Sequence, residues 1–141
     1  MHRQTLLIQP SHRGLHDISR DVSRVVSESN IVRGMCNLFV RHTSASLVIQ
    51  ENADPSVRRD LEAFFARLIP EGDPLYHHVQ EGPDDMPAHV RCALTATSLA
   101  IPVDDGKLAL GTWQGIFLWE HRSRARERSV LVTVWGERGW Q

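Results

Sequence analysis

The spacing of hydrophobic and polar positions changes several times along this chain, and each change marks an element. Thr5 to Gln9 reads as a short first strand, closed by Pro10-Ser11 and the turn-like Arg13-Gly14. Val22, Val25, Val26 and Ser29 recur at helical spacing; Ser19 is placed to cap that helix and Asn30 suits the left-handed residue that ends it. From Met35 to Gln50 β-type residues dominate. Period two puts Leu38, Val40, His42, Ser44, Ser46 and Val48 on one face. The polar patch His42-Thr43-Ser44 divides two apolar stretches, so the segment holds a bulge or is two strands.

The clearest helix spans 54–69. Asp54 is its N-cap, Pro55 its first helical residue, and Val57, Leu61, Phe64, Phe65 and Leu68 form one apolar stripe. Another helix starts at Asp84-Asp85-Met86-Pro87 and runs to about Thr95, with the two aspartates as caps and Val90, Ala93 and Leu94 facing inward. The last third is β-rich. Leu99, Ile101 and Val103 alternate up to the hairpin turn Asp104-Asp105-Gly106-Lys107. A strand from Leu108 to Glu120 follows, with Gly111 and Gly115 as bulge or close-approach sites, and Trp113, Gly115, Phe117 and Trp119 on a core face. Val130, Val132 and Val134 alternate within a final strand, Arg128 to Trp135. This order predicts an α+β fold: one domain over residues 1–141, a mostly antiparallel sheet or sandwich with two or three helices.

Length and composition fit one core: 141 residues, 41% hydrophobic and 23% charged. The formal net charge of -1 does not call for nucleic acid or an anionic membrane as partner. Positive charge is almost all arginine, with Lys107 the sole lysine and a local basic run from His121 to Arg128. Cys36 and Cys92 form no CxxC pair, and no signal peptide or transmembrane-length stretch is visible. A reduced, soluble, cytoplasmic protein is the expectation.

Several histidines stand in polar company. His42 sits inside a strand, with Glu51-Asn52 where that strand meets the helix. His78 lies in a Gly/Pro-rich loop, and His89 in the first turn of the helix that follows; His77 reads as their solvent-facing neighbour. If the loop folds back over the helix start, His78 and His89 supply two nitrogens of a metal site with a nearby carboxylate. Gln114 and Glu120 share one strand face, and Glu120 is also placed to pair with the arginine run. No Gly-x-Gly-x-x-Gly, Walker sequence or nucleophile elbow is present, which weighs against dinucleotide enzymes, P-loop enzymes and α/β-hydrolases.

Three sets of motifs, in order, resemble those of a known family. The first is His42-Thr43-Ser44-Ala45-Ser46-Leu47 with Glu51-Asn52-Ala53-Asp54-Pro55 and Asp60-Leu61. The second is Tyr76-x-His78, Glu81-Gly82 and Asp85-Met86-x-x-His89. The third runs from Ile101-Pro102-Val103 through Gly106-Lys107-Leu108 and Gly111-Thr112-Trp113-Gln114-Gly115-Ile116 to Glu120-His121-Arg122. Together they span about Leu6 to Gly136 and resemble the YjbQ-like, or secondary thiamine-phosphate synthase, family. The resemblance implies a homotrimer acting on a small phosphorylated molecule. The implied activity joins a pyrimidine methyl diphosphate to a thiazole phosphate and expels diphosphate. One departure is the arginine-loaded spacer between Glu120 and Arg128, which leaves Arg122 to Arg126 without an assigned role.

Such a reaction needs donors or cations at the diphosphate and carboxylates near the developing cation. His42, Glu51, His78 and His89 are the candidate catalytic residues. Thr43, Ser44, Asn52, Gln114, Glu120 and Arg128 are candidate ligand contacts. A divalent metal, Mg²⁺ or Zn²⁺, is the expected cofactor, with His78 and His89 as ligands. A metal-assisted hydrolase and a non-enzymatic small-molecule binder use the same residues.

Overall fold

In the computed structural model, which describes residues 1–140, eight strands and three helices build two facing antiparallel sheets. The elements run β1 (His2–Ile8), β2 (Gly14–Asp17), α1 (Ser19–Ser29), β3 (Ile31–Val40), β4 (Ala45–Glu51), α2 (Pro55–Leu68), α3 (Asp85–Leu94), β5 (Ser98–Asp104), β6 (Lys107–Leu108), β7 (Gln114–Glu120) and β8 (Arg128–Arg138). The larger sheet has the order β1-β8-β3-β5-β6 and the smaller β2-β7-β4.

Between the sheets, β8 contributes the alternating Val130, Val132 and Val134, all fully buried. They meet Leu38 and Val40 of β3, Leu47 of β4, and Ile116 and Leu118 of β7, with Val22, Val25 and Val26 of α1 closing one side. Each such side chain contributes on the order of 1.5–3 kcal/mol when removed from water. Asn30 ends α1 at φ 58°, as expected. The start of α1 differs from expectation: Asp17 Oδ1 accepts from the Ser19 N–H at 2.8 Å, and the Ser19 hydroxyl accepts from the Ile116 N–H at 2.8 Å. Ser19 therefore ties the helix to β7 instead of capping it.

The segment 35–50 is two strands in different sheets, and His42-Thr43-Ser44 is the crossover between them. The crossover also shifts the phase of burial. Even positions (36, 38, 40) face the core in β3, whereas Ala45 and Leu47 face it in β4. Likewise 108–120 is not one strand. Leu108 ends the tight hairpin with β5, in which Asp105 and Gly106 both take positive φ, and Gln114 begins β7 in the other sheet.

Asp54 caps α2 as expected, its Oδ1 accepting from the Ser56 N–H at 2.9 Å. α2 lies on the outer face of the smaller sheet, where Leu61 and Phe65 pack against Phe117, Trp119 and Leu15. The rest of its stripe is uncovered: Phe64 is 51% and Leu68 55% exposed. Trp113 is also no core residue; it precedes β7 and is 64% exposed. α3 buries Ala88, Arg91 and Cys92 and leaves Ala93 and Leu94 exposed, with Val90 half-buried. The face expected to turn inward is thus displaced, because Arg91 is drawn in by Glu62 at 2.7 Å. Cys36 and Cys92 are both free and buried. Burial pushes the Cys36 thiol up to about 11 and raises that of Cys92. No helix of the described residues is long and apolar enough to cross a membrane.

Candidate functional site

Where β3 leaves the larger sheet, the group that meets the Ser129 backbone of β8 changes from main chain to side chain. Arg41 N–H still donates to Ser129 O at 3.1 Å, and the Ser129 N–H then donates to His42 Nε2 at 2.8 Å. A backbone N–H can only donate, so Nε2 accepts and the His42 proton sits on Nδ1. Burial, and then the charge of Arg128, lower the pKa of His42, consistent with this neutral ring.

The next two crossover residues meet different partners. Ser44 accepts from Arg128 Nη2 through both its hydroxyl (3.0 Å) and its carbonyl (3.3 Å). Arg128 in turn donates from Nε to Glu120 Oε2 at 2.6 Å and from Nη2 to Oε1. This buried, two-point pair sits at the end of β7, and Glu120 Oε1 also accepts from the Arg122 N–H at 3.0 Å. Thr43 turns its carbonyl to His89, whose Nδ1 donates to it at 2.8 Å.

The loop before α3 folds back over the helix start, and two histidines meet there. His78 Nε2 lies 2.6 Å and His89 Nε2 3.2 Å from the same oxygen, Asp85 Oδ2, with ring centroids 5.4 Å apart. One ring nitrogen from each histidine and one carboxylate oxygen of Asp85 lie within 4.8 Å of one another. The other carboxylate oxygen, Oδ1, accepts from Arg122 Nη1 at 2.6 Å. Arg122 also donates from Nε to Asp84 Oδ2 at 2.9 Å and from Nη2 to the Glu81 carbonyl at 3.0 Å.

Asp84 and Asp85 are therefore not helix caps by side chain; Asp84 makes no side-chain cap bond. Burial alone would raise both carboxyls. Hydrogen bonds from Arg122 and Ser123 outweigh it at Asp84, and the His78 bond with the charge of Arg122 outweigh it at Asp85, so both are held below the usual carboxylate range. Asp85, Arg122 and Ser123 escaped the sequence reading as site residues. Arg122 stood in the third motif, directly after Glu120-His121, and in the arginine run, but neither gave it a role. His77 is exposed, as expected.

The expected site residues separate into two groups. His42, Thr43, Ser44, His78, His89, Glu120 and Arg128 belong to one polar network around the crossover, although His42 bonds Ser129 and does not touch the His78–His89 pair. Glu51, Asn52 and Gln114 lie at the opposite end of the β4–β7 ladder, in which Ala45 faces Glu120 and Glu51 faces Gln114. Six residue steps of strand separate the ends, about 20 Å. There, Glu51 Oε2 accepts from the Ala53 and Asp54 N–H groups, Asn52 Nδ2 donates to the Thr112 carbonyl, and Gln114 Oε1 accepts from the Gly111 N–H. All three shape the turn into α2 and the loop before β7.

A two-sheet α+β domain with a histidine–aspartate cluster braced by buried arginines at its crossover defines the class. The family follows from comparison. The sequence profile described as "UPF0047 protein YjbQ-like" matches residues 4–137, and the chain belongs to that family. It is 54% identical over 136 residues to a UPF0047 protein of Synechocystis, covering 96% of this chain and 92% of that one. It is 40% identical over 137 residues to the UPF0047 protein YjbQ of Escherichia coli O157:H7, covering 96% and 99%. Among solved structures, a yjbq/upf0047 family protein of Clostridium acetobutylicum superposes with a TM-score of 0.85 at 38% identity, covering 93% of this chain and 98% of that one. A hypothetical protein of Aeropyrum pernix gives 0.88 at 30% identity, covering 97% and 100%. None of these names carries a thiamine-related activity.

Proposed function

We propose that this protein is a metal-assisted enzyme acting on a small phosphorylated molecule, with His78, Asp85 and His89 as the metal ligands. The observation that carries this reading is the 3.2 Å approach of His89 Nε2 to Asp85 Oδ2 while Nδ1 of the same ring is committed to Thr43 O. When the ring is neutral, its Nδ1–H is given to Thr43 and its Nε2 lone pair faces the carboxylate. A cation between those atoms removes the repulsion and gains both as ligands. The Thr43 carbonyl then acts as the outer partner that fixes ring orientation and tautomer, and Arg122 does the same for Asp85. Two imidazoles and one carboxylate suit Zn²⁺ better than Mg²⁺, which favours oxygen ligands. Three protein ligands leave open positions for water or phosphate oxygens.

The resemblance in sequence supplies the particular reaction: transfer of a pyrimidine methyl group to a thiazole phosphate with loss of diphosphate. Developing negative charge on the leaving diphosphate is what such a cation stabilises. Hydrolysis, with water as nucleophile at the same ligands, is the second reading, and binding without turnover the third. We assign the active assembly as a homotrimer, supported by the uncovered stripe of α2.

Diphosphate release from the pyrimidine methyl diphosphate decides among them, measured with and without the thiazole phosphate, on zinc-loaded and on chelated protein. Release that needs both the metal and the co-substrate is the expected result. Release without the co-substrate establishes the hydrolase, and zinc binding with no release the binding module. Zinc affinity that is absent, or unchanged in Asp85→Asn, refutes the metal site.

A further inference from the structure

A groove of about 910 Å³ lies away from the histidine cluster and shares no residue with it. It runs between β2, with the loop before it, and the polar face of α2. Its basic groups are Arg13 and the neighbouring Arg58 and Arg59 of α2, with His12 and His16 along one wall.

The carboxylates of the groove are already engaged elsewhere. Glu62 accepts from Arg91 Nη1 through Oε1 at 2.7 Å and from Trp119 Nε1 through Oε2 at 2.8 Å. Asp17 Oδ1 accepts from the backbone of α1. Arg13 Nη2 reaches Glu71 at 3.3 Å, but among the described residues neither Arg58 nor Arg59 has a carboxylate within ion-pair distance. Two guanidinium donors are left without any partner: the Nε atoms of Arg13 and of Arg58 are both buried and unbonded. Buried donors are almost always satisfied in folded proteins, so these two orphans mark two guanidinium groups beside one groove whose donors the chain itself does not fully match. Arg58 is also fixed in place, its guanidinium carbon 5.3 Å from the centre of the Phe117 ring. Guanidinium groups present their N–H donors as a fork that matches phosphate oxygens.

We propose that this groove is a second, metal-independent anion site for a phosphate or diphosphate group, in which the guanidinium groups of Arg13 and Arg58 bind the anion's oxygens and Arg59 adds charge at the rim. The site is separate from the metal reading and does not rest on it. A free phosphate and a phosphorylated small molecule present the same oxygens here.

Titration calorimetry with inorganic diphosphate, on the full chain in chelator and at low salt, tests the proposal. Saturable binding is expected at one equivalent per chain. Affinity should fall at least tenfold in Arg58→Gln and in Arg13→Gln, severalfold in Arg58→Lys, which keeps charge but loses the fork, and not at all in His89→Ala. Should Arg58→Gln or Arg13→Gln fail to fold, the exposed Arg59→Gln carries the test, with a loss of about threefold expected from one rim charge. No saturable binding, or binding unchanged in the arginine variants, overturns the proposal. Loss in His89→Ala with retention in Arg58→Gln also overturns it, by placing the anion at the histidine cluster.

Discussion

Arg122 grips Asp85 by one oxygen and leaves the other to the histidines: Nη1 lies 2.6 Å from Oδ1, while Oδ2 faces His78 and His89. The same guanidinium also holds Asp84. Removing it strands two buried carboxylates at once. Arg122→Met should cost about 3–5 kcal/mol in urea unfolding, the usual cost of breaking a buried ion pair from one side. A loss below about 1 kcal/mol would mean that the aspartates are not held as described.

His78 and His121 should respond oppositely to removal. The His78 side chain is 45% exposed, so His78→Ala should change stability by about 1 kcal/mol or less and abolish zinc binding followed by competition with a chromogenic chelator. His121 is 1% exposed and its Nε2 bonds the Ser46 hydroxyl at 2.8 Å in the interior. His121→Ala should cost about 2–4 kcal/mol, since it opens a cavity and leaves Ser46 unpaired, with zinc affinity retained.

His121 also predicts a pH dependence. Burial first, and the charges of Arg91 and Arg128 after it, lower its pKa to about 3. The ring is neutral in the fold but takes up a proton near pH 6.5 when the chain unfolds. Its contribution is therefore complete above pH 6.5 and is lost as pH falls toward 3, by roughly 5 kcal/mol over the whole window. Urea unfolding at several pH values between 6.5 and 5, above the carboxylate range, should show the upper part of this slope and its reduction in His121→Gln. Equal slopes in the two proteins would exclude the assignment.

The stripe on α2 predicts assembly. Light scattering should give about three times the 16.0 kDa chain mass. Placing charge on the uncovered face with Phe64→Glu should shift the protein toward smaller species without unfolding it, because Phe64 is half-exposed in the single chain. A parent protein that stays monomeric at every concentration rules the trimer out.

The elements were legible wherever one local rule was enough. Valine alternation in β8, the Asp54-Pro55 start of α2, the Asp105-Gly106 turn and Asn30 at the end of α1 each follow from backbone preference or from side-chain period alone. The His42-Thr43-Ser44 interruption was visible too, as a polar break in two apolar runs, and so was the approach of His78 to His89 through a loop able to fold back. These features depend on residues close together in sequence.

Partnership across the fold was decided only by the tertiary structure. The sequence leaves Arg122 without a role and expects Glu120 to pair with the arginine run; in the fold Arg122 and Arg128 are both buried because carboxylates 37, 38 and 8 positions away are turned toward them. Asp84 and Asp85 had the composition of caps, and the same carboxylates became the anchor of the site once α3 was set against the end of β7. Glu51 and Gln114 stood beside the histidines in the motifs but are placed about 20 Å from that end of the sheet. The physical reason is that period and propensity act over a few neighbouring residues. A buried charge has no local rule that names its partner, and finds it only when the packing of two sheets brings distant segments within hydrogen-bond reach.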